Sequence, residues 1–164
     1  MKIGLDFDRV LFDTDSFDEF YKEHVEGLYH VESPAPVKHG VYDPEMHAEI
    51  CGIPKERIWK VFEHDLSQFL YDDVELLDEL DHELVIVTRG HEKFQKLKVK
   101  ASGITEKVEE VVVVQEQSKD SVNIDLLVDD SEEEIERIDI PSIKVERPEE
   151  GLEKVLEKVN ELEA

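Results

Sequence analysis

The 164-residue chain has one cysteine, one tryptophan and no long apolar run. A single thiol, Cys51, excludes an intrachain disulfide and suits a reducing compartment, so a cytoplasmic location is expected. No stretch approaches the roughly 18–20 apolar residues of a membrane span. Asp6 interrupts the N-terminal apolar run too early for a secretory leader. Basic residues are scarce: 19 Lys plus Arg stand against 43 Asp plus Glu, a formal charge of −24. That surplus excludes non-specific binding to nucleic acid or anionic lipid, because both are polyanions. It also opposes long-range steering of a phosphorylated substrate unless cations stand between the two. Internal repeats and low-complexity linkers are absent too. At roughly 100–200 residues per domain the length fits one domain with a small insertion, and 40% hydrophobic residues suffice for a core.

Short apolar runs alternate with helical patterns. Residues 2–6, 84–88, 111–114, 124–128 and 143–145 read as strands. Their continuous β-branched character predicts burial on both faces, as in a parallel sheet. Residues 91–102 read as a helix ending at Gly103, and 131–138 as one capped by Ser131. Residues 152–162 carry Leu152, Val155, Leu156, Val159 and Leu162 on one stripe. Alternation of this kind predicts an α/β fold, a Rossmann-like three-layer sandwich with a mostly parallel sheet. Between the first two strands, residues 14–82 show helical patterns at 15–30, 43–51 and 54–70, a hinge-like loop at 33–36, and no convincing strand. They are expected to form a small helical cap, leaving 1–13 and 83–164 as the core.

The first strand ends Leu5-Asp6-Phe7-Asp8-Arg9-Val10. Residues i and i+2 leave an extended chain on one side, so Asp6 and Asp8 project together from the carboxyl edge, where open α/β sheets bind ligands. The fourth strand also ends in acids, Val128-Asp129-Asp130. Neighbouring strands would gather four carboxylates that repel and raise one another's pKa. A hard cation removes that conflict, so Asp6, Asp8, Asp129 and Asp130 predict a Mg²⁺ site. Either pair alone is equally well read as helix capping. Thr88 offers a hydroxyl at the same edge, followed by Arg89, and Lys119 lies between the third and fourth strands. Thr88 could be a plain helix cap and Lys119 a loop lysine, with Lys98, Lys100 and Lys107 as competitors.

The ordered set Asp6-x-Asp8-x-Val10, Thr88, Lys119 and Asp129-Asp130 resembles the four motifs of the haloacid dehalogenase-like hydrolases. The resemblance covers about 100 residues of core and puts 14–82 where that family carries its cap. Arg9 departs from it, standing where many members have glycine. The resemblance implies Asp6 as nucleophile of an aspartyl-phosphate intermediate and Asp8 as general acid–base. Members acting on carbon–halogen bonds lack an aspartate at the Asp8 position, so phosphate chemistry is expected. It further implies Mg²⁺ held by Asp6, the Asp8 carbonyl and Asp130, with Asp129 in support. Thr88, Arg89 and Lys119 would bind the phosphoryl group. A Mg²⁺-dependent phosphomonoesterase for a small phosphorylated metabolite is the expectation. A non-catalytic acidic scaffold of the same fold is the alternative.

The insertion contains His24, His30, His39, His47, His64, Arg57, Trp59, Tyr21, Tyr29 and Tyr42. These could grip a sugar or base, or simply pack. The Leu127-Val128-Asp129-Asp130 ending is similar to the deoxyribonucleotidase branch, which makes a nucleoside monophosphate one expected substrate beside sugar phosphates and phosphoacids. The chain is expected to be a monomer or homodimer. The remaining 39 acids read as a solvated coat suited to a salty cytoplasm, although 14 Lys against 5 Arg is not an arginine-rich halophile balance.

Overall fold

The computed structural model describes residues 1–26, 37–38 and 40–164. Five strands form one sheet: β1 (Lys2–Leu5), β4 (Glu83–Arg89), β5 (Glu110–Val114), β6 (Leu126–Asp129) and β7 (Ser142–Lys144). Their order is β5-β4-β1-β6-β7, and every neighbouring pair is parallel. Strand β1 is central, with β4 on one side and β6 on the other. Its carboxyl end is therefore the topological switch point of the sheet, where a ligand crevice opens.

Alternate residues of the strands feed two cores, which explains their continuous apolar runs. Ile3, Leu5, Leu84, Ile86, Leu126 and Val128 enter the larger core, with α4 (Glu92–Ser102) contributing Phe94 and Val99 and α6 (Leu152–Glu163) contributing Leu152, Val155 and Val159. Val85, Val87, Val114 and Leu127 face the other way, against Ile124, Val122, Ile138 and Ile140, close to the short α5 (Glu132–Glu136). That second layer is thin. A Cβ on Gly4 would lie 2.6 Å from Ile124 Cδ1, so the glycine lets the 118–124 segment rest directly on β1.

Helix ends follow local chemistry. Asp43 accepts from the N–H groups of Glu45 and Met46 at 3.0 Å each, Pro44 opens α2 (Pro44–Cys51), and Gly52 closes it at φ +68°. His91 Nδ1 accepts from Phe94 N to start α4, which Gly103 ends at φ +81°. Helix α6 lacks a cap of its own. Asp73 Oδ2, 79 positions earlier, accepts from Leu152 N at 2.9 Å.

The span 14–82 differs in detail from its sequence pattern. Helix α1 covers Thr14–Glu26; the remainder of the expected helix 15–30 and the loop 33–36 fall outside the described residues. A short hairpin of β2 (Val37–Lys38) and β3 (Val41–Tyr42) stands where no strand was expected, with Gly40 between them at φ +77°. The expected helix 54–70 is broken into α3 (Lys55–Trp59) and 3₁₀ turns at Lys60–Glu63 and Ser67–Phe69. The break has a cause: Leu66 is wholly buried and its N–H donates to Ala101 O at the end of α4, while Asp65 caps Ser67 N. Residues 131–138 shorten to α5. Among the described residues, 14–82 adds no strand to the five-stranded sheet. Its Phe17, Tyr21, Ile58, Val61, Leu66, Val74 and Leu77 join the larger core. No helix among the described residues is long and apolar enough to cross a membrane.

Candidate active site

Past β1 the chain turns back on itself. Phe7 O accepts from Leu11 N and Phe12 N at 3.0 and 3.1 Å, and Arg9 N donates to Phe12 O at 2.9 Å. Arg9 sits at φ +63°, a left-handed conformation that costs a non-glycine residue roughly 1–2 kcal/mol. The tight turn explains why glycine suits this position. Here the Arg9 guanidinium instead reaches Asp15 at 2.9 Å.

The turn places Asp6 and Asp8 at the switch point, and neighbouring strands bring the other expected residues to them. Lys119 Nζ lies 3.0 Å from Asp6 Oδ1, 2.7 Å from Asp129 Oδ2 and 3.4 Å from Glu134 Oε2. Lys119, not Lys100 or Lys107, is thus the lysine beside Asp6; Lys107 pairs with Glu75 and Asp78. Thr88, the penultimate residue of β4, is buried and accepts from Gln95 Nε2 at 2.7 Å. Arg89 makes a two-pronged bond with Glu134, at 3.0 and 2.8 Å, and also donates to Gln115 O. Its guanidinium is therefore joined to Lys119 through one shared carboxylate.

Thr14, Gln95 and Glu134 escaped the sequence reading, and Lys98, which entered it only as a competitor of Lys119, serves Asp8 instead. Lys98 Nζ is 2.7 Å from Asp8 Oδ1, which also accepts from Thr14 Oγ1 at 2.9 Å. Gln95 Nε2 donates to Asp8 Oδ2 at 2.9 Å. Gln95 and Lys98 are three apart on α4, hence on one face, a signal visible only once that face is known to overlook Asp8. Lys98 also lies 5.3–5.9 Å from the ring centres of Phe7, Phe12, Phe17 and Phe94, a desolvated slot for an ammonium.

Electrostatics divide the two aspartates of the first motif. Burial pushes the Asp6 carboxyl well up, helped by Asp129, Asp8 and Asp130 and opposed by Lys119. Burial acts on Asp8 in the same sense, yet Lys98, Gln95 and Thr14 hold its carboxyl below the ordinary value. Lys119 is raised despite burial, because Asp6 and Asp129 face it. Burial raises Asp130, and the Asp129 charge adds to it.

Carboxylate oxygens of Asp6, Asp129 and Asp130 lie within 4.8 Å of one another. Asp129 is already committed, to Lys119 through Oδ2 and to Ser131 N at 3.0 Å through Oδ1. Asp6 and Asp130 keep capacity for a cation. Five carboxylates (Asp6, Asp8, Asp129, Asp130, Glu134) against three cations (Lys98, Lys119, Arg89) leave a formal −2 at the site. The donor set is all oxygen, which fits Mg²⁺. The Asp8 carboxylate stands outside this acid trio, engaged by Lys98, Gln95 and Thr14.

A cleft of about 610 Å³ opens beside Asp8, with Arg89, Gln95 and Lys98 on its core wall. Tyr21, Tyr42 and His47 come to it from the 14–82 span. Trp59 is engaged elsewhere, with Lys93 Nζ 4.2 Å from its ring centre, and His24 packs edge-on against His64. His30, His39 and Tyr29 fall outside the described residues.

A central strand ending in two aspartates, flanked by a threonine strand and a double-aspartate strand, is the fold of the haloacid dehalogenase-like hydrolases, and this chain has that fold. It is similar to a haloacid dehalogenase-like hydrolase from Burkholderia xenovorans, at 16% identity over 94% of this chain and 84% of that one, with a TM-score of 0.67. A predicted phosphatase from Clostridium acetobutylicum matches at 16% identity, 98% of both chains and a TM-score of 0.60. The L-2-haloacid dehalogenase of Xanthobacter autotrophicus, with chloropropionic acid covalently bound, matches at 14% identity, 98% and 82% coverage and a TM-score of 0.61. No protein-family profile and no curated protein matches the sequence.

Proposed function

We propose that the chain is a Mg²⁺-dependent phosphomonoesterase for a small phosphorylated metabolite, with 14–82 as a cap on a core of 1–13 and 83–164. The observation that carries this reading is Asp6 at 3.0 Å from Lys119, beside Asp129 and Asp130, with Asp8 two residues further on. The shared fold of the predicted phosphatase from Clostridium supports the reaction class, and a Bacillus subtilis putative hydrolase of this fold, bound to magnesium, supports the metal. Asp8 favours phosphate over halide chemistry.

Asp6 attacks phosphorus, forming an aspartyl-phosphate as the ester P–O bond breaks, and the leaving oxygen takes a proton from Asp8. Water then attacks the phosphoryl group, Asp8 recovers a proton from it, and inorganic phosphate departs from a restored Asp6. Lys119 offsets charge on Asp6 and the phosphoryl oxygens in a buried, low-dielectric place. Because Gln95 donates to Thr88 Oγ1, the Thr88 hydroxyl hydrogen is left for a phosphoryl oxygen. Lys98 holds Asp8 in its ionised form, ready to accept a proton from water. Proton donation requires that pair to open, and phosphoryl oxygens in the cleft offer Lys98 another partner. Arg89 positions Lys119 through Glu134. Mg²⁺, held by Asp6, Asp130 and the Asp8 carbonyl, would neutralise charge between an anionic nucleophile and an anionic substrate.

The cleft volume suits a small metabolite, and Tyr21, Tyr42 and Phe94 provide flat surfaces for a base or sugar, so nucleoside monophosphates head the candidates. The test is phosphate release from nucleoside monophosphates, sugar phosphates, phosphoglycolate and an aryl phosphate. Release should stop with EDTA, return with Mg²⁺, and vanish in Asp6→Asn. Undiminished release in that variant would sink the mechanism, and no release with Mg²⁺, Mn²⁺ or Co²⁺ would favour a binding or scaffold protein.

A further inference from the structure

A second cluster of ligand atoms lies apart from the aspartates, in the 14–82 span. His47 and Cys51 are four apart on α2 and so share a face. Glu26, the last residue of α1, meets them there. One ligand atom of each, a carboxylate oxygen, an imidazole nitrogen and the thiol sulfur, lies within 4.8 Å of the other two. Glu26 and His47 are each 6% exposed.

The cluster is incompletely satisfied as it stands. His47 Nε2 is 3.1 Å from Glu26 Oε1. Glu26 Oε2, however, is buried without a hydrogen-bond partner among the described residues, and the nearest ammonium, Lys22, is 3.9 Å away. A buried carboxylate with an idle oxygen is costly, because the desolvated group recovers no hydrogen bond in exchange for water. The other ring nitrogen, His47 Nδ1, is held by Tyr42 Oη at 2.7 Å, and Tyr42 is in turn bonded to Tyr21 Oη. The imidazole is thus oriented by a hydrogen bond at one nitrogen and turns the other to a carboxylate and a thiol, and such a bond fixes the ring of a metal-binding histidine.

We propose that Glu26, His47 and Cys51 bind a divalent transition metal of the zinc class, with the fourth position open to water. The donor set, one oxygen, one nitrogen and one sulfur, suits Zn²⁺ and is wrong for Mg²⁺. The spacing leaves room for an ion: bonds of about 2.1 Å set tetrahedral ligand atoms roughly 3.4 Å apart, inside the 4.8 Å that contains all three. The ion ties the end of α1 to α2 and, through Tyr42, to the hairpin, all three of which border the cleft. The site stands independently of the phosphatase reading.

Cobalt serves as the probe. The metal-free full-length protein is titrated with Co²⁺ in excess Mg²⁺ and read by absorbance, since only a thiolate ligand gives an intense sulfur-to-cobalt charge-transfer band. Wild type and Asp130→Asn should both develop the band, saturating at one equivalent and bleaching with Zn²⁺. Cys51→Ser should lack it, Glu26→Gln and His47→Ala should bind at least tenfold more weakly, and Tyr42→Phe about tenfold more weakly. Zinc should also slow alkylation of Cys51 in the wild type at least tenfold, a readout that depends on no variant folding. Absence of the band in the wild type, or wild-type affinity in both Glu26→Gln and His47→Ala, overturns the proposal.

Discussion

Lys98 is the residue whose removal says most about how the two aspartates divide their work. Its ammonium lies 2.7 Å from Asp8 Oδ1 with only 4% of the side chain exposed. Unit charges 2.7 Å apart attract by roughly 6 kcal/mol at an effective dielectric of about 20, and desolvation of the ammonium offsets much of that. Breaking one partner out of a buried pair costs about 3–5 kcal/mol. Lys98→Met belongs at the low end, about 3 kcal/mol. Methionine fits among the four phenylalanine rings, and Asp8 keeps Gln95 and Thr14 as donors. Denaturant unfolding measures this, and Lys98→Met/Asp8→Asn should recover part of the loss. The pH dependence has a definite sign. Asp8 is lowered in the fold, so its contribution to stability is present above the ordinary carboxylate value and lost as pH falls through the folded one. Lys98→Met should weaken that acid loss and shift the limb of the phosphatase pH profile belonging to protonated Asp8 to higher pH. Wild-type stability with an unmoved profile would refute the claim that Lys98 holds Asp8 ionised.

Arg147 ties its own segment to two others, with Asp73 at 2.7 Å through both oxygens and the Tyr71 ring centre at 4.1 Å in one, and Val10 O at 2.8 Å in the other. Arg147→Ala should cost about 2–4 kcal/mol, seen as a Tm lowered by roughly 5–12 °C. Asp73 is lowered despite burial because Arg147 faces it and Leu152 N donates to it, so this stability is present above the ordinary carboxylate range and fades in acid; the variant should show a weaker acid dependence, with the Leu152 part kept. Gly4→Ala drives a methyl to 2.6 Å from Ile124 Cδ1 and should cost about 1–3 kcal/mol, partly recovered by adding Ile124→Val. If the acidic coat is an adaptation to salt, molar KCl should raise Tm by screening self-repulsion; a Tm independent of KCl removes that reading and leaves the enzymology untouched.

The sheet was legible because strands buried on both faces write continuous β-branched runs, and Asp6, Asp8, Asp129 and Asp130 follow those runs directly. Local helix chemistry was equally readable at Asp43, Pro44 and Gly52. What sequence concealed is long-range. Nothing near Leu152 reveals that Asp73 caps α6, and nothing near Lys98 reveals Asp8, 90 positions away. The broken 54–70 segment carries a helical pattern, but burial of Leu66 and its bond to Ala101 override it. The two-residue strands of the hairpin are too short to leave a period.

The most direct test of the central claim is to find the phosphoryl group on the protein. After rapid acid quench during turnover of a radiolabelled phosphomonoester in Mg²⁺, borohydride reduction converts an aspartyl-phosphate to homoserine, which peptide mass spectrometry can locate. The account predicts homoserine at position 6 alone, and none in Asp6→Asn. Label on another residue, or steady turnover with Asp6 unmodified at every quench time, would contradict it.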